Sequence, residues 1–252
     1  SNFTFCNSTT GGAIDIDGND IRISASNMAD CYGVEDGGAI YISGNNVTML
    51  DSNFTRCFVQ NNNGGAIYWI GSIGFVNNTY FINNTSPRLG GAIFMRENSK
   101  ITFDFTHFTN NTAGINGGAI DFNRGAHDEV IFNSTFVNNK ANRSAGAVFW
   151  FGTNGTIKDS VFINNTALGI VNYTDSYGNV TYGGYGGAVM WTGAQGIVDN
   201  CTFINNYAQY NNATKSGGRG GAVYLQGSDV GNGHDTAFYN SLFINNTAIG
   251  GN

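Results

Sequence analysis

The sequence predicts an all-β protein: a right-handed parallel β-helix of about nine coils, with three short strands in each. Two alternating motifs, a near-constant spacing between them and apolar columns that recur when the copies are aligned carry this prediction. A Gly-Gly-Ala-Ile or Gly-Gly-Ala-Val tetrapeptide starts at Gly11, Gly37, Gly64, Gly90, Gly117, Gly186 and Gly220, with an Ala-Gly-Ala-Val variant at Ala145. Between copies lies Phe-x-x-Asn, at Phe81–Asn84, Phe108–Asn111, Phe136–Asn139, Phe162–Asn165, Phe203–Asn206 and Phe243–Asn246. Three earlier copies carry Cys in the Asn place: Phe3–Cys6, Met28–Cys31 and Phe54–Cys57.

Each element follows in order along one repeat. The Gly pair is a corner, where the backbone bends tightly and stacks closely on its neighbours. Ala145 replaces the first Gly, so the second is the stricter position. After the motif Ala, the first strand places Ile14, Ile40, Ile67, Ile93, Ile120, Val148, Val189 and Val223 at +1, and only apolar residues at +3, among them Trp69, Trp150 and Trp191. That alternation gives one buried face. A second strand is centred near +10, on Ile23, Met49, Val76, Phe103, Ile131, Ile157 and Val198. The third ends in the Phe column, with Ser or Thr two residues earlier, as in Ser134 and Ser160. From motif Ala to the next Phe or Met is 15 residues in five of eight cases, so an uninterrupted repeat is 26 to 28 residues. That is short for a βαβ unit, which takes about 30 or more, and suits one coil of a solenoid. Stacked coils lie ~4.8 Å apart. The Phe rings then stack, and the Asn amides bond from coil to coil.

Composition agrees. The chain of 252 residues holds 37 Gly and 38 Asn, poor helix formers and good turn formers. Apolar residues at 41% and charged ones at only 11% argue against disorder. A net charge of -6 with 11 basic residues gives no footprint for nucleic acid. No apolar run is long enough to span a membrane. Residues 1–252 read as a single domain, interrupted by insertions at 166–185, 207–219 and 226–237. Both ends cut through the repeat, which reads as a fragment or ordered core of a longer chain, or as ends covered by partners.

The paired Gly-Gly-Ala-Ile and Phe-x-x-Asn motifs resemble the repeats of polymorphic outer-membrane proteins and of adhesin-like surface proteins of methanogenic archaea. The resemblance spans nearly the whole chain. It implies an extracellular, cell-surface β-helix acting in adhesion, with no catalytic motif to carry over. The Cys-bearing copies and the long inserts depart from the pattern.

Cys6, Cys31 and Cys57 share one column, at a spacing that admits either free buried thiols or one disulfide among them. Cys201 falls in the Ser/Thr column. Sequons are dense, and those in loops, Asn172, Asn179 and Asn212, are the candidate glycosylation sites.

Function is expected where the repeat breaks. The insertions at 166–185 and 207–219 leave the same corner of adjacent coils and carry Tyr173, Tyr177, Tyr182, Tyr185, Tyr207 and Tyr210. Tyr-, Gly-, Ser- and Asn-rich loops on a rigid scaffold suit adaptable binding of a glycan or of a cell-surface protein on another cell. A second candidate is the outward column at +2, containing Tyr41, Tyr68 and Phe94. It reads as an exposed aromatic strip for sugar rings or for self-association, which the rod ends also offer. Asp229, Asn232 and Asp235 match no calcium-loop pattern, and neither a metal nor a cofactor is expected. Pectin-lyase-like β-helices also host polysaccharide lyases and hydrolases, which need converging carboxylates. Here the 17 acids are scattered; Asp199 aligns with Lys158 as an inter-coil ion pair. The reading is a non-catalytic adhesin-like protein. A stalk displaying another domain, and then a polysaccharide lyase or hydrolase, are the alternatives.

Overall fold

Each repeat closes one turn of a parallel β-solenoid. In one turn the strands are Tyr80–Ile82, Thr85–Ser86, Ile93–Met95 and Lys100–Asp104. Their counterparts pair in parallel from turn to turn, building two nine-stranded and two eight-stranded sheets. The register is that of the aligned motifs: Phe54 pairs with Phe81, Phe81 with Phe108 and Phe108 with Phe136. The computed structural model describes residues 1–96, 100–123, 125–170, 173–174, 180–181, 183–211, 216–226 and 235–250, with only the backbone at 173–174, 180–181 and 216. Among the described residues every regular element is a strand, and no helix is long and apolar enough to cross a membrane.

The turn has four strands where the sequence predicts three. The additional strand is two residues long, such as Thr112–Ala113 or Thr166–Ala167, and its second residue is buried. Ser86, Ala113, Ala141, Ala167 and Ala208 fill that buried column. Two residues are too few to show a period of two, so periodicity alone passes over it.

Single left-handed residues make two of the corners. Asn83, Asn110, Asn138, Asn164, Asn205 and Asn245 have φ between 50° and 57°, and Asn78, Asn133, Asn200 and Asn240 between 46° and 51°. Asn enters this region more readily than other non-glycine residues. The two Asn of each Phe-x-Asn-Asn thus divide the work: the first bends the chain, the second turns inward.

The Gly pair is required for two different reasons. The first Gly has φ between +55° and +72°, as does Ala145 at 61°. The second lies against the next turn: a Cβ on Gly65, Gly91 or Gly118 would stand 2.0 Å from the carbonyl oxygen of Gly91, Gly118 or Gly146. Ala is tolerated at the first position with some strain. At the second, stacking would fail, and Gly146 is retained beside Ala145.

Inside, Phe54, Phe81, Phe108, Phe136, Phe162 and Phe203 stack ring on ring, and the exposed Phe243 of the last turn continues the stack, with centroids 4.6 to 4.9 Å apart. The Asn column beside them is a continuous ladder. Asn139 Nδ2 donates to Phe108 O and to Asn165 Oδ1, both at 3.0 Å. Its Oδ1 accepts from Asn111 N–H at 3.0 Å and from Asn111 Nδ2 at 2.9 Å. Buried amides are thereby satisfied at every rung. The Ser/Thr column runs a second ladder, with Thr106 N–H donating to Ser134 Oγ and Ser134 N–H to Ser160 Oγ, each at 3.1 Å.

Candidate functional site

The two Tyr-bearing insertions begin where a two-residue strand would otherwise run directly into its Gly corner. Each folds back as a short antiparallel ladder: Tyr173–Thr174 pairs with Val180–Thr181, and Tyr210–Asn211 with Ser216–Gly217. Their bases are bonded to one another. Asn211 Nδ2 donates to Gly169 O at 2.6 Å, and Arg219 N–H to Gly184 O at 3.2 Å. The rod holds the first base from below, with Gly184 N–H donating to Arg143 O at 2.6 Å. Tyr185 stacks on Tyr224 at 4.9 Å, and the Arg219 guanidinium lies 6.0 Å from the Tyr185 ring. Tyr185, Tyr207 and Tyr210 are half-buried. Of Tyr173 only the backbone is described. Tyr177, Tyr182, Asn172, Asn179 and Asn212 lie outside the described residues, as do Asp229 and Asn232 of the third insertion.

The aromatic column at +2 is not the exposed strip that alternation predicts. Tyr41 stacks on Tyr68 at 5.2 Å and Tyr68 on Phe94 at 5.0 Å, but Tyr68 and Phe94 are only 6% and 4% exposed. Asp121, Phe149 and Met190 in the same column are buried too. Alternation tells which way a side chain leaves the sheet; it does not tell what stands over it. At two Gly corners the preceding residue reaches over the column, Thr10 in its hydrogen bond to Asp15 (3.2 Å) and Tyr185 in its stack on Tyr224. The exposure expected of Tyr68 and Phe94 is therefore corrected, while Tyr41 is half-buried.

Asp121 is the feature of that column that sequence reasoning missed. It sits between Phe94 and Phe149 of the neighbouring turns, fully buried. Burial pushes its carboxyl well above the usual carboxylate range, against the smaller pull of Asn123 and Arg143. Arg143, itself 8% exposed, donates from Nη1 to Asn116 Oδ1 at 3.1 Å. Glu129 is likewise buried, at the inward position that Ile101 holds in the preceding turn. An acid in an otherwise aromatic column is the signal that marks Asp121 in the sequence.

Lys158 Nζ lies 3.1 Å from Asp199, the ion pair expected from their alignment, and Asn200 Nδ2 donates to Asp159 at 2.5 Å. No group of three His, Cys, Asp or Glu among the described residues is placed to hold a metal ion. At the last turn, Ala222, Val223, Leu225, Phe238, Phe243 and Asn246 line an open depression of about 560 Å³.

The repeat matches the model of the Chlamydia polymorphic membrane protein repeat over residues 78–96, 106–123 and 200–226. Each match holds one Phe-x-x-Asn and the Gly-Gly-Ala-Ile or Gly-Gly-Ala-Val that follows it. The chain is also 38% identical over 97 residues to "Probable autotransporter YfaL" of Escherichia coli (strain K12), covering 35% of this chain and 8% of that protein. It therefore spans less than a tenth of that relative's length. No solved structure matches. Three stretches of this parallel β-solenoid thus resemble the polymorphic membrane protein repeat, and the chain is similar in part to an autotransporter.

Proposed function

We propose that this chain is a surface-displayed rod of an adhesin-like protein, and that it binds a glycan or protein on another cell through the paired hairpins at 166–185 and 207–219. The observation that carries the reading is the bond between the two hairpin bases, Asn211 Nδ2 to Gly169 O, together with the Arg143 contact that seats them on the rod. Loops held this way are pre-organised, which lowers the ordering cost of binding. Half-buried Tyr185, Tyr207 and Tyr210 supply amphipathic rings beside them. A surface location is supported by the likeness to a polymorphic membrane protein repeat and to an autotransporter. The rod is taken as right-handed, the common hand of parallel crossovers, and as about nine turns long, which the nine-stranded sheets support. A non-binding stalk is the second reading, favoured by the unbroken stacking on either side of the hairpins. A polysaccharide lyase or hydrolase is the third.

The test is a glycan-array and cell-binding screen with the intact chain and with a variant in which residues 171–182 and 212–215 are replaced by short Gly-Ser links. The expected result is binding by the intact chain and its loss in the variant, with an unchanged β-sheet circular dichroism spectrum. Equal binding by both would overturn the assignment to the hairpins. Binding by neither would favour the stalk. Depolymerisation of a polysaccharide by the intact chain would favour the third reading.

A further inference from the structure

In the first three turns the ladder position is held by Cys6, Cys31 and Cys57. The residues before them pair in register, Thr4 with Ala29 and Ala29 with Thr55, and so do those after, Asn7 with Tyr32 and Tyr32 with Phe58. The column itself is bonded through its backbone, Tyr32 N–H to Cys6 O at 2.8 Å and Phe58 N–H to Cys31 O at 3.0 Å. Neighbouring Cα atoms in such a ladder stand ~4.8 Å apart, inside the roughly 4.4–6.8 Å window of a disulfide. The Cys31 and Cys57 thiols each lie between their own turn and the preceding one, Cys31 Sγ 3.6 Å from Ala29 O and Cys57 Sγ 3.7 Å from Thr55 O of their own turns. Cys57 Sγ lies 3.4 Å from Met28 O, and Cys31 Sγ 3.7 Å from Phe3 O. Each of these two sulfurs is thereby within reach of a carbonyl of the turn that carries the preceding cysteine. All four cysteines of the chain are free thiols in this structure; Cys31 and Cys57 are fully buried and Cys6 is partly exposed.

We propose that this column is a thiol–disulfide site with Cys31 as the common partner: one inter-turn disulfide joins Cys31 to Cys6 or to Cys57, and the third cysteine remains a thiol. Cys6 and Cys57 are two turns apart, about 9.6 Å at the same spacing, and cannot bond directly. Cys201 stands in the Ser/Thr column, where its thiol is pushed up to about 11 by burial. The neighbouring Cys57 thiol holds Cys31 down to about 6, with a smaller contribution from Cys6. The same contact, with burial, pushes Cys57 well up, and burial pushes Cys6 up. The central sulfur is thus the one most readily present as thiolate, the form that attacks a disulfide.

The oxidant is a low-molecular-weight disulfide. Cys6, as thiolate, attacks one of its sulfurs and expels one small thiolate, leaving a mixed disulfide at Cys6. The Cys31 thiolate attacks Cys6 Sγ and expels the second. The two protein thiols give up two electrons and two protons, and the small disulfide becomes two small thiols. Cys57 can then attack Cys31 and move the bond one turn inward. In a parallel ladder the Cβ atoms also stand ~4.8 Å apart, about 1 Å beyond the usual distance in a disulfide. Closure therefore draws two turns together, and the bond is readily reduced.

The experiment incubates the native chain with oxidised glutathione, then counts thiols after denaturation and maps cross-linked peptides. Thiols should fall from four to two, with Cys31 in the cross-linked peptide. The Cys57→Ala variant should still lose two thiols at the parent rate, and Cys6→Ala, which lacks the exposed entry thiol, should lose two far more slowly. Cys31→Ala should lose none to a protein disulfide, and should stop at a glutathione adduct, while its circular dichroism matches the parent. Four surviving thiols, an adduct at Cys6 with no protein disulfide in the parent chain, or any cross-link lacking Cys31 would each overturn the proposal.

Discussion

Replacing Asn139 isolates what the ladder contributes, because its four hydrogen bonds are known and all its partners are buried. In Asn139→Ala, Asn111 N–H and one Asn111 Nδ2 hydrogen lose their acceptor. Asn165 Oδ1 keeps the bond from Asn139 N–H at 3.0 Å and is not orphaned. Two orphaned buried donors at ~1–3 kcal/mol each, with a small cavity beside them, give an expected loss of ~3–5 kcal/mol. Asn139→Asp keeps the acceptor for Asn111 and sets an oxygen in place of Nδ2, facing Phe108 O and Asn165 Oδ1. A protonated carboxyl can donate to one of them; an ionised one repels both. The folded protein then holds that proton more tightly than the unfolded chain does. Stability of the Asp variant therefore falls as pH rises above the unfolded carboxyl value near ~3.9. The assay is urea unfolding followed by circular dichroism, with midpoints compared at pH 4.5 and pH 8. The Ala variant should show a large deficit at both, and the Asp variant a small one at pH 4.5 that grows toward pH 8. Deficits below about 1 kcal/mol for both variants at pH 8 would refute the ladder as a source of stability.

Two further outcomes follow from the core. Trp69, Trp150 and Trp191 are each followed five residues later by a Gly whose added Cβ would stand 2.2 to 2.5 Å from the indole. Trp150→Ile alone should cost about 3–5 kcal/mol through the cavity it leaves, and Gly155→Val alone should unfold the turn. The double variant, which copies Ile42 and Val47, should recover most of both losses in a double-mutant cycle; simple additivity would refute the pairing. For Asp121, the raised carboxyl means that the folded state binds the extra proton, so stability falls as pH rises from the unfolded value to the raised one. Asp121→Asn removes that loss, so its urea midpoint relative to the parent should climb between pH 4 and pH 8. A pH-independent difference would refute the assignment.

The sequence by itself determined the solenoid, its register, the Phe stack, the Asn ladder and the Lys158–Asp199 pair. All of these are relations between equivalent positions, and a repeat writes such positions in alignment. It also determined where the hairpins leave the rod. Only the tertiary structure decided what depends on relations across one turn. The two-residue strand is too short to leave a period. The burial of Tyr68 and Phe94 on the outward face is set by what the rest of the turn places over them. The burial of Asp121 follows from that same cover, and the accommodation of each Trp by a Gly is a contact between two different sheets. Periodicity reports the face a side chain leaves from; burial depends on what the rest of the turn folds over that face. That is why the aromatic column reads as a binding strip in the sequence and is packed in the protein.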